Sequence, residues 1–366
     1  MILFKKNPRM YGRIIKHMNN TSHQYRNTAG SISGWRKLAF CLFALTVATA
    51  AFGRSEFSSM VVFGDSLSDT GRLFRLTHGG FPPRVAYYDG RQSNGPVWVE
   101  YLADQLGLEH KLRNYAVVGA MTGPTTAIPA GNVKSDVYSG LEGTSLSGQL
   151  AMYLSRTGGK VDPEALYIVE GGANDLIRPM AALLMNPPAT AAEFMQAVNQ
   201  IATPTVVNVA TIVGSLKMRG AKYIAVVNVP DLGRTPYLIG FGPMASATIT
   251  MVVDMVNVSV DTQLDQMESP SGNKIARIDA FKFINTMADE PENFGFVNVT
   301  QQFMTVDLTT LKVTYASPNR CTASKWLFWD DVHPTTRGHH LLAQTAEVTL
   351  HETYPAVKLA HKDCDD

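Results

Sequence analysis

The chain has 366 residues, 45% of them apolar and 17% charged, with a formal net charge of +1. That composition excludes a disordered chain and suits one large domain. The charge is uneven. Residues 1–50 carry eight Lys or Arg and no acid, which leaves 24 basic and 31 acidic residues beyond them, and a globular part of net −7 does not suggest a nucleic-acid partner.

The first feature in chain order is "GWRKLAFCLFALTVATAAFG" (34–53), where Arg36 and Lys37 precede an apolar run from Leu38 to Phe52 that ends in small residues. This is the layout of a secretory signal, too short for a comfortable membrane span. An uncleaved N-terminal anchor is the alternative. The expected organisation is therefore a basic segment with a signal peptide (1–50), a catalytic domain (58–355) and a tail (356–366). Export bears on the cysteines. Cys41 leaves with the signal, while Cys321 and Cys364 remain to form one disulfide in an oxidising compartment or to stay as two thiols. Sequons at Asn257 and Asn298 matter only in a host that glycosylates.

From residue 58 onward short apolar runs alternate with longer helical patterns. The runs "MVVFGD" (60–65), "ALYIVEGG" (165–172), "KYIAVVNVP" (222–230) and "KIARIDAF" (274–281) suit strands buried on both faces of a parallel sheet. Helical patterns cover 96–107, 145–158, most of 190–219, 244–267 and 335–352. The alternation predicts one α/β domain with helices on both faces of the sheet. Two long loops, 68–95 and 119–144, are candidates for function, because ligands in open α/β sheets bind beyond the carboxyl ends of the strands.

Three of those ends carry chemistry. Gly64-Asp65-Ser66 follows the first run, "GGAND" (171–175) follows the second, and "FWDDVHPTTRGHH" (328–340) lies near the end. They supply a hydroxyl, an amide side chain, and a carboxylate three residues before an imidazole. A serine needs a base, the resulting imidazolium needs a fixed carboxylate, and the tetrahedral oxyanion needs aimed donors. Gly64 is expected to let the chain turn sharply and to deliver Ser66 at the sheet edge. The plainer reading of Asp330 and His333 is a solvated loop before a helix capped by Thr335 or Thr336.

Four blocks together resemble the GDSL, or SGNH, esterase and lipase family: "FGDSLSDTG" (63–71), "NYAVVGAMTG" (114–123), "GGAND" (171–175) and "DDVHP" (330–334). The resemblance spans about 60–345. It implies a three-layer α/β/α sandwich with a mainly parallel, flavodoxin-like central sheet. It implies Ser66 as nucleophile, His333 as base and Asp330 as its acid, with an oxyanion hole from Ser66, Gly119 and Asn174. It implies no metal and no cofactor. The expected activity is that of a secreted serine esterase or lipase, working through an acyl-enzyme on lipid, lysophospholipid or short-chain esters. Polysaccharide acetylesterase and acyltransferase chemistry are the alternatives, and an inactive secreted binding protein is a further one. A monomer is expected, with an acyl-ester substrate and a lipid or membrane surface as candidate partners. Asp65, Asp175 and Asn114 are expected to brace loops rather than react.

Two other readings remain open. Asp65, Asp330, Asp331, His333, His339 and His340 lie close enough in sequence to suggest a metal site, although one of the last two histidines fits a packed helix face better. The loop 72–89 mixes Phe74, Phe81, Tyr87 and Tyr88 with Arg72, Arg75 and Arg84, as an acyl groove rimmed by cations would, or as an ordinary covered loop would. Met180, Met185 and Met195 suit either an adaptable acyl site or the core.

Overall fold

A computed structural model describes residues 57–123, 143–268 and 274–357. The expected signal segment, Cys41, Cys364 and most of the second long loop lie outside these residues. Five strands form a parallel sheet among the described residues: β1 (Met60–Phe63), β2 (Leu112–Asn114), β3 (Leu166–Glu170), β4 (Tyr223–Val227) and β5 (Ile275–Ile278). Their order is β2-β1-β3-β4-β5, the flavodoxin-like doubly wound order.

The helices follow in chain order: α1 (Arg72–Leu76), α2 (Trp98–Gln105), α3 (Leu146–Arg156), α4 (Ala173–Met185), α5 (Ala191–Met218), α6 (Pro236–Ile239), α7 (Pro243–Met267), α8 (Ala280–Asp289) and α9 (Thr336–Thr353). One face of the sheet presents Val61, Phe63, Tyr167, Val169, Ile224 and Val226 to α3, α4, α5 and α7. The other presents Met60, Val62, Leu166, Ile168, Ala225 and Val227 to α2, α8 and α9. Burial on both faces is why the central strands read as unbroken apolar runs. The expected three-layer α/β/α arrangement is thus the observed one. α5 and α7 are long and apolar enough to cross a membrane by length and composition, and each also gives a buried stripe to the core.

Three departures from the sequence reading concern the sheet and the helices beside it. β2 leaves no mark in the sequence because, at the sheet edge, Leu112-Arg113-Asn114 is nowhere fully buried and has no apolar run. α4 begins on the Gly172 backbone at φ 112° and contains Pro179, both of which hide a helical pattern. The fourth apolar run extends beyond its strand. β5 stops at Ile278, and the Asp279 carboxylate accepts the Lys282 N–H to cap α8. Asn257 is buried, and its amide bonds both backbone groups of Val229, so that sequon is structural in this fold.

Short strands β6 (Asn298–Gln302), β7 (Met304–Val306), β8 (Val313–Tyr315) and β9 (Trp326–Phe328) precede α9. β6 pairs with β9, and β7 with β8. They anchor the loop before α9. The Phe303 and Trp329 rings stack at 5.7 Å, and Trp329 Nε1 donates to the Ala86 carbonyl. Thr335 then caps α9 as expected.

Candidate active site

The carboxyl end of β1 runs into a turn in which the Ser68 N–H donates to the Asp65 carbonyl. Ser66 occupies that turn. The chain turns directly after Gly64, which is required there by close packing and does not adopt a left-handed backbone. A Cβ there would sit 2.8 Å from Glu170 Oε2 and 2.9 Å from Ser68 Cβ. Gln149 locks the same residue, accepting the Gly64 N–H and donating to its carbonyl, each at 2.8 Å.

Ser66 Oγ lies 2.8 Å from His333 Nε2, and His333 Nδ1 lies 2.8–2.9 Å from the two Asp330 oxygens. The carboxylate fixes the Nδ1–H tautomer, so Nε2 accepts the Ser66 hydroxyl. Asp330 Oδ1 also accepts the N–H groups of Val332 and His333. Burial would raise the Asp330 carboxyl, but the His333 charge and these donors outweigh it, and the group is held below the usual carboxylate range. Burial would lower His333, yet the Asp330 charge and hydrogen bond, with Asp331 beyond, hold it above 6.5.

Tyr87 is a partner the sequence reading missed in this role. Its hydroxyl donates to Asp330 Oδ2 at 2.8 Å. Burial first, and the Asp330 charge second, push the phenol far up, so it stays a donor at every working pH. No local signal marks it, because it reaches the acid from a loop 243 residues away.

Ser66, Gly119, Asn174, Asp330 and His333 all line one cleft of about 560 Å³ beyond the strand ends. Gly119 has φ 78°, and a Cβ there would meet nothing within 4 Å because it would point into open space. The N–H groups of Ser66 and Gly119 donate to no other group among the described residues. Asn174 differs. Its Nδ2 donates to Asp65 Oδ2 and to the Ala120 carbonyl, both at 3.1 Å, so both amide hydrogens are engaged at rest. Asp65 Oδ1 in turn takes the Leu67 N–H, Asp175 holds the Thr122 N–H and hydroxyl, and Asn114 donates to the Ser68 carbonyl. These three brace loops as expected.

The apolar wall comes from Phe81, Val118, Ile177, Ala181 and Met185. The expected loop cations are elsewhere. Arg72 donates to the Tyr115 carbonyl, Arg75 to that of Thr70, and Arg84 lies over the Phe74 ring. Arg178 of α4 also lines the cleft; its guanidinium makes no salt bridge among the described residues, and its charge acts on Asp331. The methionines divide. Met180 is core, Met185 lines the cleft, and Met195 is exposed away from it.

His339 and His340 have separate surroundings, which weakens the metal-ligand reading. His339 is buried with both ring nitrogens unbonded, whereas His340 packs on Tyr101. No group of three or more His, Cys, Asp or Glu among the described residues is arranged to hold a metal ion. Cys321 is exposed, and the expected partner Cys364 lies outside the described residues.

Comparison with known proteins identifies the family. The profile of the family described as GDSL-like Lipase/Acylhydrolase matches residues 60–346. The chain is 28% identical over 364 residues to a phosphatidylcholine-sterol acyltransferase of Aeromonas hydrophila, covering 87% of this chain and 98% of that one. It is 27% identical to a thermolabile hemolysin of Vibrio parahaemolyticus over 81% of this chain and 64% of the hemolysin's length. A solved extracellular lipase from Streptomyces rimosus is similar at 13% identity with a TM-score of 0.41, over 81% of this chain and 99% of that one. The chain belongs to the GDSL-like lipase and acylhydrolase family, whose members hydrolyse ester bonds.

Proposed function

We propose that this chain is an exported serine esterase that cleaves acyl esters of lipid-like alcohols through Ser66, His333 and Asp330. The carrying observation is the 2.8 Å approach of Ser66 Oγ to an imidazole whose other nitrogen is bound to Asp330, beside two unengaged N–H groups.

In this reading Ser66 Oγ attacks the acyl carbonyl while His333 Nε2 takes its proton. The carbonyl oxygen becomes an oxyanion held by the N–H groups of Ser66 and Gly119 and by the Asn174 amide. His333 then gives the proton to the departing alcohol oxygen, leaving an acyl group on Ser66. A water, deprotonated by His333, attacks that ester, and His333 returns the proton to the departing Ser66 Oγ as the acid is released. A second alcohol in place of the water would give acyl transfer, a reading favoured by the similarity to the Aeromonas acyltransferase over 98% of its length.

An apolar wall of Phe81, Ile177 and Met185 favours an acyl chain, and Arg178 at its edge favours an anionic headgroup. Docking on a lipid surface is supported by Met185, Phe241 and Met244, which are exposed. The Phe241 ring meets Tyr237 of the cleft. The basic, apolar N-terminal segment supports export.

Hydrolysis of nitrophenyl esters from acetyl to palmitoyl, beside a lysophospholipid and an acetylated xylan, tests the proposal. Ser66→Ala is expected to abolish turnover with the fold intact. More than a few per cent of residual activity would move the nucleophile elsewhere.

A further inference from the structure

Beneath Ser66 lie two buried carboxyl groups that the reaction does not use. Asp65 is 1% exposed and Glu170, the last residue of β3, is 3% exposed. Glu170 Oε2 accepts the Ser68 hydroxyl at 2.8 Å and the Asp65 N–H at 3.2 Å. Ser68 Oγ accepts Trp98 Nε1–H, which fixes the hydroxyl's proton toward Glu170. Asp65 accepts the Leu67 N–H on one oxygen and the Asn174 amide on the other. Neither carboxyl takes part in a salt bridge among the described residues.

Two adjacent carboxylates without a cation cannot both ionise in a buried site, so the pair keeps one proton. Its place follows from the partners. Glu170 is bonded by a hydroxyl already polarised toward it. Asp65 touches the amide that must serve an oxyanion, and a negative charge there would hold that amide back and repel the oxyanion. Resting on the reading of Ser66 as nucleophile, we propose that Asp65 is a positioning residue for the oxyanion hole, parking the Asn174 amide as an uncharged acid while Glu170 carries the pair's negative charge.

Burial, and next the charge of Glu170, push the Asp65 carboxyl well up, in line with this. Burial raises Glu170 as well, against the hydrogen bonds from Ser68 and Asp65. His333 faces Asp65 from the loop before α9, and its positive charge pulls the other way. Asp330 bonds that imidazole directly, whereas Asp65 has no hydrogen bond to it.

Steady-state kinetics of three variants on a short-chain nitrophenyl ester test the assignment. Asp65→Ala is expected to lower kcat by about 100-fold with KM within about threefold, the size of a lost oxyanion donor. Asp65→Asn offers Asn174 a neutral oxygen and Glu170 an N–H, and is expected to regain at least about tenfold of that loss. In Glu170→Gln the charge must rest on Asp65, so the ratio of variant to parent kcat is expected to fall as pH rises from about 5.5 to 8.5. Asp65→Asn no better than Asp65→Ala, or a Glu170→Gln ratio independent of pH, overturns the proposal. If Asp65→Ala does not fold, a loss beyond about 100-fold in Asp65→Asn counts equally against it. Turnover persisting in Ser66→Ala would instead remove the underlying reading, so the two failures are distinguishable.

Discussion

The Tyr87 hydroxyl and the Asp330 carboxylate are joined by a 2.8 Å hydrogen bond between residues 243 positions apart. The acid that orients His333 is therefore held by a phenol from the first long loop as well as by the backbone of its own turn. That arrangement ties the behaviour of the proposed base to a residue far from it in sequence.

Tyr87→Phe is expected to reduce kcat about tenfold with little change in KM. A hydrogen bond to a charged group contributes about 1.5–3 kcal/mol, but Asp330 keeps its other donors. Asp330→Asn is expected to cost far more, about 10⁴-fold, because the amide favours the wrong imidazole tautomer. Equal losses in the two variants would show that the phenol and the acid act as one unit.

The rate should rise with pH through a midpoint above 6.5. Only neutral His333 can accept the Ser66 proton, and Asp330 holds the imidazole above its ordinary value. A kcat/KM profile measured from pH 5 to 9 checks this. A rate that falls steadily over the same range counts against the triad.

His339 gives a separate signature in stability. Burial, and next the charge of His333, push its protonation midpoint down to about 3, and neither ring nitrogen has a partner. An unfolded imidazole binds its proton near 6.5, so the unfolded state binds more protons below that pH. Stability is therefore complete above about 6.5 and falls as pH drops toward 3. His339→Leu loses no hydrogen bond and should flatten this dependence. Urea midpoints at pH 7 and 4.5 measure it, and an unchanged difference between the two would reject the assignment.

Two glycines near Ser66 should respond oppositely to alanine. Gly119→Ala meets open space, so the protein should fold with only about 1–2 kcal/mol of left-handed backbone strain while kcat falls as the methyl enters the cleft. Gly64→Ala drives a Cβ to 2.8 Å from the Glu170 carboxylate and should destabilise the fold itself. Thermal midpoints and kcat for both variants separate strain from site blockage.

Arg178→Ala is expected to raise KM about tenfold for a lysophospholipid while leaving a short nitrophenyl ester nearly unchanged, since only the former offers a phosphate to the guanidinium. Equal effects on the two substrates would remove Arg178 from headgroup recognition.

Much of the fold was legible because its physics is local. Four of the five strands announce themselves as apolar runs, since burial on both faces leaves no room for alternation. Five helices follow from periodicity. The edge strand β2, helices α4 and α8, and the short elements α1, α6 and β6 to β9 carry no such signal. An edge position, a glycine start with an internal proline, and a strand running directly into a capped helix each blur the pattern.

The candidate site divides along the same line. Residue type and position at strand ends point to Ser66, Asn174, Asp330 and His333 as candidates, whereas Gly119 is marked only by the family resemblance. Which side chains surround them was decided by tertiary structure alone. Tyr87 on Asp330, Glu170 beneath Asp65, Arg178 in place of the loop arginines, and the engaged amide of Asn174 all depend on distances between segments far apart in the chain. Hydrogen bonds and charge pairs act over a few ångströms in space, and no periodicity along the sequence records them.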